Sequence, residues 1–285
     1  MGVVVATGEP AANIAMDRAS LPVYARPATR QFRAFNVGIA KTGTRSVAGI
    51  FARYRSLHEL LFPETVAALE ARERGAKGDA DFRAFLRWRD ALCDLDMDSS
   101  SYNCHYVDAL AEEFPDAKFV FVIRDCFGWL DSMLNMALLI GPISPEWLVG
   151  YLGRFLGPSW EADLADRPAD LRRRAPAMAE AGLTYWARTN RFVLEHLAMQ
   201  RSLIVRASEL SDSLPRVAAL VGVPAETLAP ELSRLHRGRT KYGILHDLDF
   251  AWLAEIAEHY CGELMREFFP RLTLADFLRS HPRPS

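Results

Sequence analysis

The chain has 285 residues, half of them hydrophobic and a quarter charged, with 34 Lys+Arg against 36 Asp+Glu for a formal net charge of −2. That composition is of the soluble globular kind and suffices for one large α/β domain or two small ones. Its near-neutral balance argues against nucleic acid as the main partner, without excluding a local basic pocket for one small anion. No run approaches the roughly 18 apolar residues of a membrane span. The N-terminal stretch lacks a basic n-region and meets Asp17 and Arg18 early, unlike a signal peptide, and Ala6 stands where N-myristoylation wants Ser or Thr. Residues 1–30 are therefore expected to be a loosely attached arm, and residues 31–285 a single domain. Cys93, Cys104, Cys126 and Cys261 are scattered, with no C-x-x-C pair. They are expected to be reduced packing thiols of a cytoplasmic protein rather than zinc ligands.

In chain order, Phe32–Ile39 predicts a buried strand and Thr44–Tyr54 a helix with Val47, Ile50, Phe51 and Tyr54 on one face. Arg55–Leu61 reads as a short strand or loop, Pro63–Arg74 as a helix broken at Gly75–Asp81, and Asp81–Ala91 as a helix followed by a strand near Ala91–Met97. A helix over Tyr106–Phe114 ends at Pro115. Lys118–Ile123 has the continuous apolar character of a strand buried on both faces, and Phe127–Leu139 is an amphipathic helix. Gly141–Gly182, rich in Pro, Gly, Trp and Arg, predicts a helical insertion of several short helices. Leu183–Met199 is a long helix, Ser202–Arg206 a strand, Leu214–Val221 a helix closed by Gly-Val-Pro, and Ala251–Phe269 a final long helix. Strands alternating with helices predict an α/β fold: a central parallel sheet flanked by helices on both faces. In such sheets ligands gather at the C-terminal strand edges. The loop after Ile39, the turn at Arg124 and the turn after Arg206 should therefore converge.

Two of these edges carry chemistry. FNVGIAKTGTRS, Phe35–Ser46, has the glycine separation of a phosphate loop in Gly38 and Gly43. The phosphate-loop pattern, however, places its lysine directly after the second glycine. Here Thr44 fills that slot and Lys41 comes two residues before Gly43. Backbone N–H groups entering a helix at Gly43–Ser46 make an anion nest. Thr42, Thr44 and Ser46 add hydroxyls, and Lys41 and Arg45 add charge. The second edge, RDCFGWLDS, runs from Arg124 at a strand end to Ser132 two turns into the next helix. A sharp turn at Asp125–Gly128 lets both reach one anion. Each segment alone also fits an ordinary capped strand–turn–helix.

Together the two segments closely resemble the cofactor-binding signatures of the sulfotransferase family, enzymes that use 3′-phosphoadenosine 5′-phosphosulfate (PAPS). KTGTRS, Lys41–Ser46, is similar to that family's 5′-phosphosulfate loop, especially that of the Golgi carbohydrate sulfotransferases. Arg124 and Ser132 have the spacing of its 3′-phosphate signature, and Trp129 fits within it. Cys126 departs from it, since many members have proline there. SLIVRASEL resembles the family's strand-plus-acidic-turn segment, with Ser208 where many cytosolic members carry tyrosine. HRGRTKYG resembles, more loosely, its C-terminal loop over the 3′-phosphate, which brings Arg237, Gly238 and Arg239 to the cofactor. The resemblance covers roughly residues 32–275. It implies a P-loop-like sulfotransferase fold and transfer of the sulfuryl group from PAPS to a hydroxyl or amine of a small-molecule or glycan acceptor. It further implies adenosine 3′,5′-bisphosphate as product and no metal cofactor.

In this family an early lysine steadies the phosphosulfate bridge and the departing 5′-phosphate, which is the role the resemblance gives Lys41. A general base assists the acceptor. Glu59, in YRSLHELLFPET, occupies a position comparable to the catalytic Glu of carbohydrate and tyrosyl-protein sulfotransferases, with His58 as its neighbour. His105, in SSSYNCHYVD, lies in the region from which cytosolic sulfotransferases draw a histidine. Elsewhere, alternation in CDLDMD places Asp94, Asp96 and Asp98 on one face of a strand, expected to be a solvated strand end rather than a metal site. Arg172–Arg174 reads as a solvated helix face. Trp147, Tyr151, Phe155 and Trp160 suggest a partial lid over the acceptor, with packing in its core as the other reading. Two other readings stand beside the enzyme: a small-molecule kinase using ATP and Mg²⁺ through an altered phosphate loop, and a non-catalytic nucleotide-binding module. No motif specifies the acceptor or the oligomeric state.

Overall fold

A computed structural model describes residues 29–139, 152–157, 167–234 and 241–283. Its strands are β1 (Ala34–Asn36), β2 (Ser56–His58), β3 (Met97–Ser99), β4 (Lys118–Ile123) and β5 (Ser202–Arg206). Its main helices are α1 (Thr44–Ile50), α2 (Phe62–Glu73), α3 (Asp79–Cys93), α4 (Val107–Glu113), α5 (Cys126–Leu139), α6 (Arg167–His196), α7 (Leu214–Val221), α8 (Phe250–Phe268) and α9 (Leu274–Ser280). The five strands form one sheet in the order β2-β3-β1-β4-β5, and every pairing is parallel. The register sets Asn36 beside Ser99 and Val120, His58 beside Ser99, and Ile123 beside Arg206. The C-terminal ends of β1, β2 and β3 therefore lie level.

Alternation along β4 explains the layering. Phe119, Phe121 and Ile123 point into one core with side chains from α2, α3, α4, α5, α6, α8 and α9. Val120 and Val122 point into the opposite core with Val47, Ile50 and Phe51 around α1 and Leu214, Val217 and Val221 of α7. All five side chains are fully buried, and each contributes about 1.5–3 kcal/mol by leaving water. A strand buried on both faces has no solvent side to mark with polar residues, which is why its sequence is a continuous apolar run.

The structure corrects several expectations. The strand expected near Ala91–Met97 is β3, Met97–Ser99, because α3 continues to Cys93. Phe82, Leu86, Arg89 and Cys93 form the buried stripe of that helix, and Asp94, at φ 48°, ends it. From Arg167 the expected short helices of the insertion are a single 30-residue helix that runs on through Leu183 and contains Pro176. Phe155, expected in a lid, is fully buried and packs edge-on against Tyr185 at 4.7 Å between centroids. Trp147, Tyr151 and Trp160 lie outside the described residues. Helix α9 carries no strong sequence signal beyond its Thr273–Asp276 capping box. The four cysteines are buried free thiols. Among the described residues no helix is long and apolar enough to cross a membrane.

The aspartates expected at a solvated strand end are instead structural. Asp98 is buried and ion-paired to buried Arg89, whose guanidinium also donates to Leu60 O at 2.9 Å. Asp94 takes ion pairs from Arg30 and Arg55. Asp96 is wholly buried; its Oδ1 accepts from Gln31 N at 2.6 Å and Phe32 N at 3.2 Å, and its Oδ2 from Arg55 N at 2.8 Å. One carboxylate thus satisfies the chain entering β1 and the chain entering β2. Asp96→Ala leaves three backbone donors unpaired, so a loss of about 3 kcal/mol or more in urea unfolding is expected; a loss below about 1 kcal/mol contradicts this account.

Candidate active site

The loop between β1 and α1 is shaped by backbone requirements. Gly43 has φ 108° and ψ 26° and caps α1 without a side-chain hydrogen bond. A side chain is strained at that dihedral, so glycine fits it. Gly38 lies so close to β4 that an added Cβ would stand 2.7 Å from Val122 O and 2.6 Å from Thr42 Oγ1. The loop is thereby pressed onto the neighbouring strand. Thr42 is buried, and its hydroxyl donates to Ile39 O at 2.8 Å. Its proton is committed to closing the turn, not presented to a ligand as expected.

The turn after β4 locks onto the same loop. Arg124 donates from Nη1 to Lys41 O at 3.2 Å, and Trp129 donates from Nε1 to Ala40 O at 2.7 Å. Trp186 of α6 in turn donates to Arg124 O at 3.0 Å. Asp125 caps α5 by accepting from Gly128 N at 2.6 Å. The turn is close-packed at Gly128, where a Cβ would stand 2.8 Å from Asp125 Oδ2 and 3.1 Å from Arg124 Nε, so those side chains would have to shift. Cys126 is the first residue of α5, a position where proline is tolerated because the N–H there has no intrahelical partner; that N–H points to Met265 Sδ at 3.4 Å. Burial pushes the Cys126 thiol well above its ordinary value, with Cys261 beside it adding to the shift.

Cations gather at this junction. Burial lowers the Lys41 pKa from 10.5, and the charges of Arg124, Arg45 and Lys241 lower it further. No carboxylate pairs with Lys41 among the described residues. Burial likewise lowers Arg124, offset in part by Asp125 and Asp131. Ser132 is half-buried in the second turn of α5, and its hydroxyl makes no hydrogen bond among the described residues. An ammonium crowded by burial and by other cations, with no counter-ion, is stabilised by an incoming anion.

On the other side of the loop stand the expected base candidates. Thr44 Oγ1 lies 2.9 Å from His58 Nε2. The same nitrogen is 3.6 Å from Glu59 Oε1, which accepts from Ser101 Oγ at 2.6 Å. Thr44, His58 and Glu59 thus form one chain of contacts from the anion loop to a carboxylate that is 26% exposed. Four non-glycine residues among those described have positive φ, and two are Lys41 (67°) and Glu59 (55°). Such conformations cost roughly 1–3 kcal/mol each and cluster at functional sites. Beneath them lies a buried polar frame. Asn36 Nδ2 donates to Ser99 Oγ at 3.0 Å, Ser99 Oγ donates to Thr44 O at 2.7 Å, and Asn103 Nδ2 reaches Asn36 O and Asp98 O, each at 3.2 Å.

His105 has a different setting. Its Nε2 is 3.1 Å from the Tyr185 hydroxyl. Burial pushes its imidazole down to about 3, with Arg154 and Arg188 adding to the shift. Arg45 is exposed and Ser46 buried on α1. Ser208 is exposed on the short turn after β5. Arg237, Gly238 and Arg239 lie outside the described residues. Sequence reasoning gave no role to Ser101, Asp131 and Lys241, although each lies inside a segment it singled out.

The chain is similar to solved structures that include the following two. One is sulfotransferase STF9 from Mycobacterium avium, at 15% identity over 85% of this chain and 78% of that one, with a TM-score of 0.47. The other is a sulfotransferase from Alicyclobacillus acidocaldarius, at 17% identity over 80% and 94%, with a TM-score of 0.43. No curated protein matches the sequence. The sulfotransferase domain family matches residues 33–224, from the start of β1 past the end of α7. That span is about two thirds of the chain and includes the Lys41 loop, the Arg124 turn and the Glu59 strand end; the chain belongs to the sulfotransferase family.

Proposed function

We propose that the chain transfers a sulfuryl group from PAPS to a hydroxyl or amine of a small-molecule or glycan acceptor. The observation that carries this reading is Lys41, a half-buried ammonium among Arg124, Arg45 and Lys241 with no carboxylate paired to it among the described residues. The bound donor supplies a sulfuryl group that passes in line to the acceptor as adenosine 3′,5′-bisphosphate departs. Lys41 and the amides of Gly43–Ser46 face the charge that grows on the 5′-phosphate side, already oriented before reaction. Arg124 and Ser132 hold the 3′-phosphate. Arg237, Gly238, Arg239 and Ser208 are further cofactor contacts under this reading. Glu59 takes the acceptor's proton, steered by Ser101 and His58. It is favoured over His105 because it is partly exposed and joined through His58 to Thr44 of the Lys41 loop, whereas the His105 ring is engaged with the Tyr185 hydroxyl. The reading places no metal in the site and a cytoplasmic setting around the protein.

Lys41→Ala is expected to reduce turnover by about 10²–10³-fold with an unchanged circular dichroism spectrum, measured as PAPS consumption over a panel of hydroxyl acceptors; retained activity removes Lys41 from the mechanism. Calorimetric titration is expected to show binding of adenosine 3′,5′-bisphosphate in preference to ATP. Arg124→Ala should weaken the bisphosphate by about tenfold or more while changing adenosine 5′-monophosphate little. Equal weakening of the two nucleotides refutes the 3′-phosphate assignment. Because Lys41 gives up its proton below 10.5, bisphosphate affinity should fall as pH rises, beginning below the ordinary lysine range. Lys41→Arg, charged throughout, should delay the fall. An identical pH profile in the two proteins contradicts the assignment.

A further inference from the structure

We propose that His58 is a positioning residue of the donor site: it holds the Thr44 hydroxyl as an acceptor, so that the hydroxyl's own proton is left for the 5′-phosphate of a bound nucleotide. The proposal rests on the sulfuryl-transfer reading and adds to it a link between the donor loop and the strand end that carries Glu59.

Two neighbouring strand ends grip Thr44, the first residue of α1. His58 of β2 and Ser99 of β3 are register partners. Ser99 Oγ donates to Thr44 O at 2.7 Å, which fixes the main chain. His58 Nε2 lies 2.9 Å from Thr44 Oγ1, which fixes the side chain. Thr44 is buried and the His58 side chain is 18% exposed, so little water competes for the contact.

The surroundings of His58 Nε2 decide which way the hydrogen bond runs. Glu59 Oε1 stands 3.6 Å from that nitrogen and accepts from Ser101 Oγ at 2.6 Å. Glu59 must be ionised to take a proton from the acceptor, and an ionised carboxylate only accepts hydrogen bonds. A nitrogen lone pair turned toward it is repelled, so Nε2 is the protonated nitrogen. At 3.6 Å its proton is too far from Glu59 for a hydrogen bond, and it goes to Thr44 Oγ1. Thr44 is then an acceptor, and its hydroxyl makes no other hydrogen bond among the described residues. Thr42 is the contrast, since its proton is spent on Ile39 O. Of these two loop hydroxyls, one closes the turn and the other keeps a proton to donate at the nest formed by the amides of Gly43–Ser46. A rotor held this way is oriented before the anion arrives.

The test is calorimetric titration of the full chain and its variants with adenosine 3′,5′-bisphosphate, adenosine 5′-monophosphate and adenosine 3′-monophosphate. His58→Leu should weaken both nucleotides that carry a 5′-phosphate about tenfold, the scale of one hydrogen bond to a charged group, and change the 3′-monophosphate by less than about threefold. His58→Gln, whose amide can donate to Thr44 in place of the imidazole, should recover most of the loss. His58→Asn, polar but shorter, should not. In a Thr44→Val background, adding His58→Leu should change bisphosphate affinity by less than about threefold, because the two residues act through one hydroxyl. Unchanged bisphosphate affinity in His58→Leu, equal loss for all three nucleotides, equal affinities in His58→Gln and His58→Asn, or a full further loss in the Thr44→Val background overturns the proposal. Failure of the unsubstituted chain to bind the bisphosphate overturns the sulfuryl-transfer reading itself, and this inference with it.

Discussion

The loop after β1 is held against the turn after β4 by two hydrogen bonds between a side chain and a carbonyl, from Arg124 to Lys41 O and from Trp129 to Ala40 O. Two pieces of chain separated by some eighty residues meet there, and each brings a cation the other would repel in water. Gly38 permits the approach, since any side chain at that position would strike Val122 O. Parallel pairing of β1 with β4 sets the register that makes the approach possible. The repulsion is paid for by the burial of Phe119, Phe121 and Ile123 on one face and Val120 and Val122 on the other. Folding therefore delivers a junction in which like charges are already assembled.

The second constraint is the buried polar frame at the level ends of β1, β2 and β3. Asn36, Ser99 and Asn103 tie the ends of β1 and β3 to each other and to the Thr44 carbonyl. Fully satisfied networks of this kind specify one arrangement, because each displaced member leaves a partner unpaired in low dielectric. The left-handed conformations of Lys41 and Glu59 persist on top of this frame. Rigid support beneath strained residues is the usual physical arrangement where side chains must point in directions that ordinary backbone does not offer.

Much of the fold was legible in the sequence for identifiable reasons. β4 announced itself as a continuous apolar run, β5 as a β-rich run before an acidic turn, and α7 ended at a glycine that takes the left-handed cap its position requires. The boundary between α3 and β3 was misplaced because Ala91, Leu92 and Cys93 suit either element locally. The helix wins through the buried stripe from Phe82 to Cys93. The aspartates of CDLDMD looked solvated because alternation reveals a face and not what covers it. Arg89, the partner of Asp98, comes from the preceding helix, and the amides held by Asp96 come from two other segments. At the site, glycine spacing and the Arg/Ser pair could be seen directly. The His58 contact with Thr44 and the ion pair of Lys241 with Asp131 could not, since each depends on a distance between separate segments that no local pattern encodes.

Both indole nitrogens at the junction bind main-chain carbonyls of the segments that bear Lys41 and Arg124. Trp129 and Trp186 are completely shielded from solvent, and they are two of only six tryptophans in the chain. Any shift of either carbonyl alters the polarity around an excited indole. The molecule thus carries its own optical gauge of that seam, with no extrinsic dye needed to follow it.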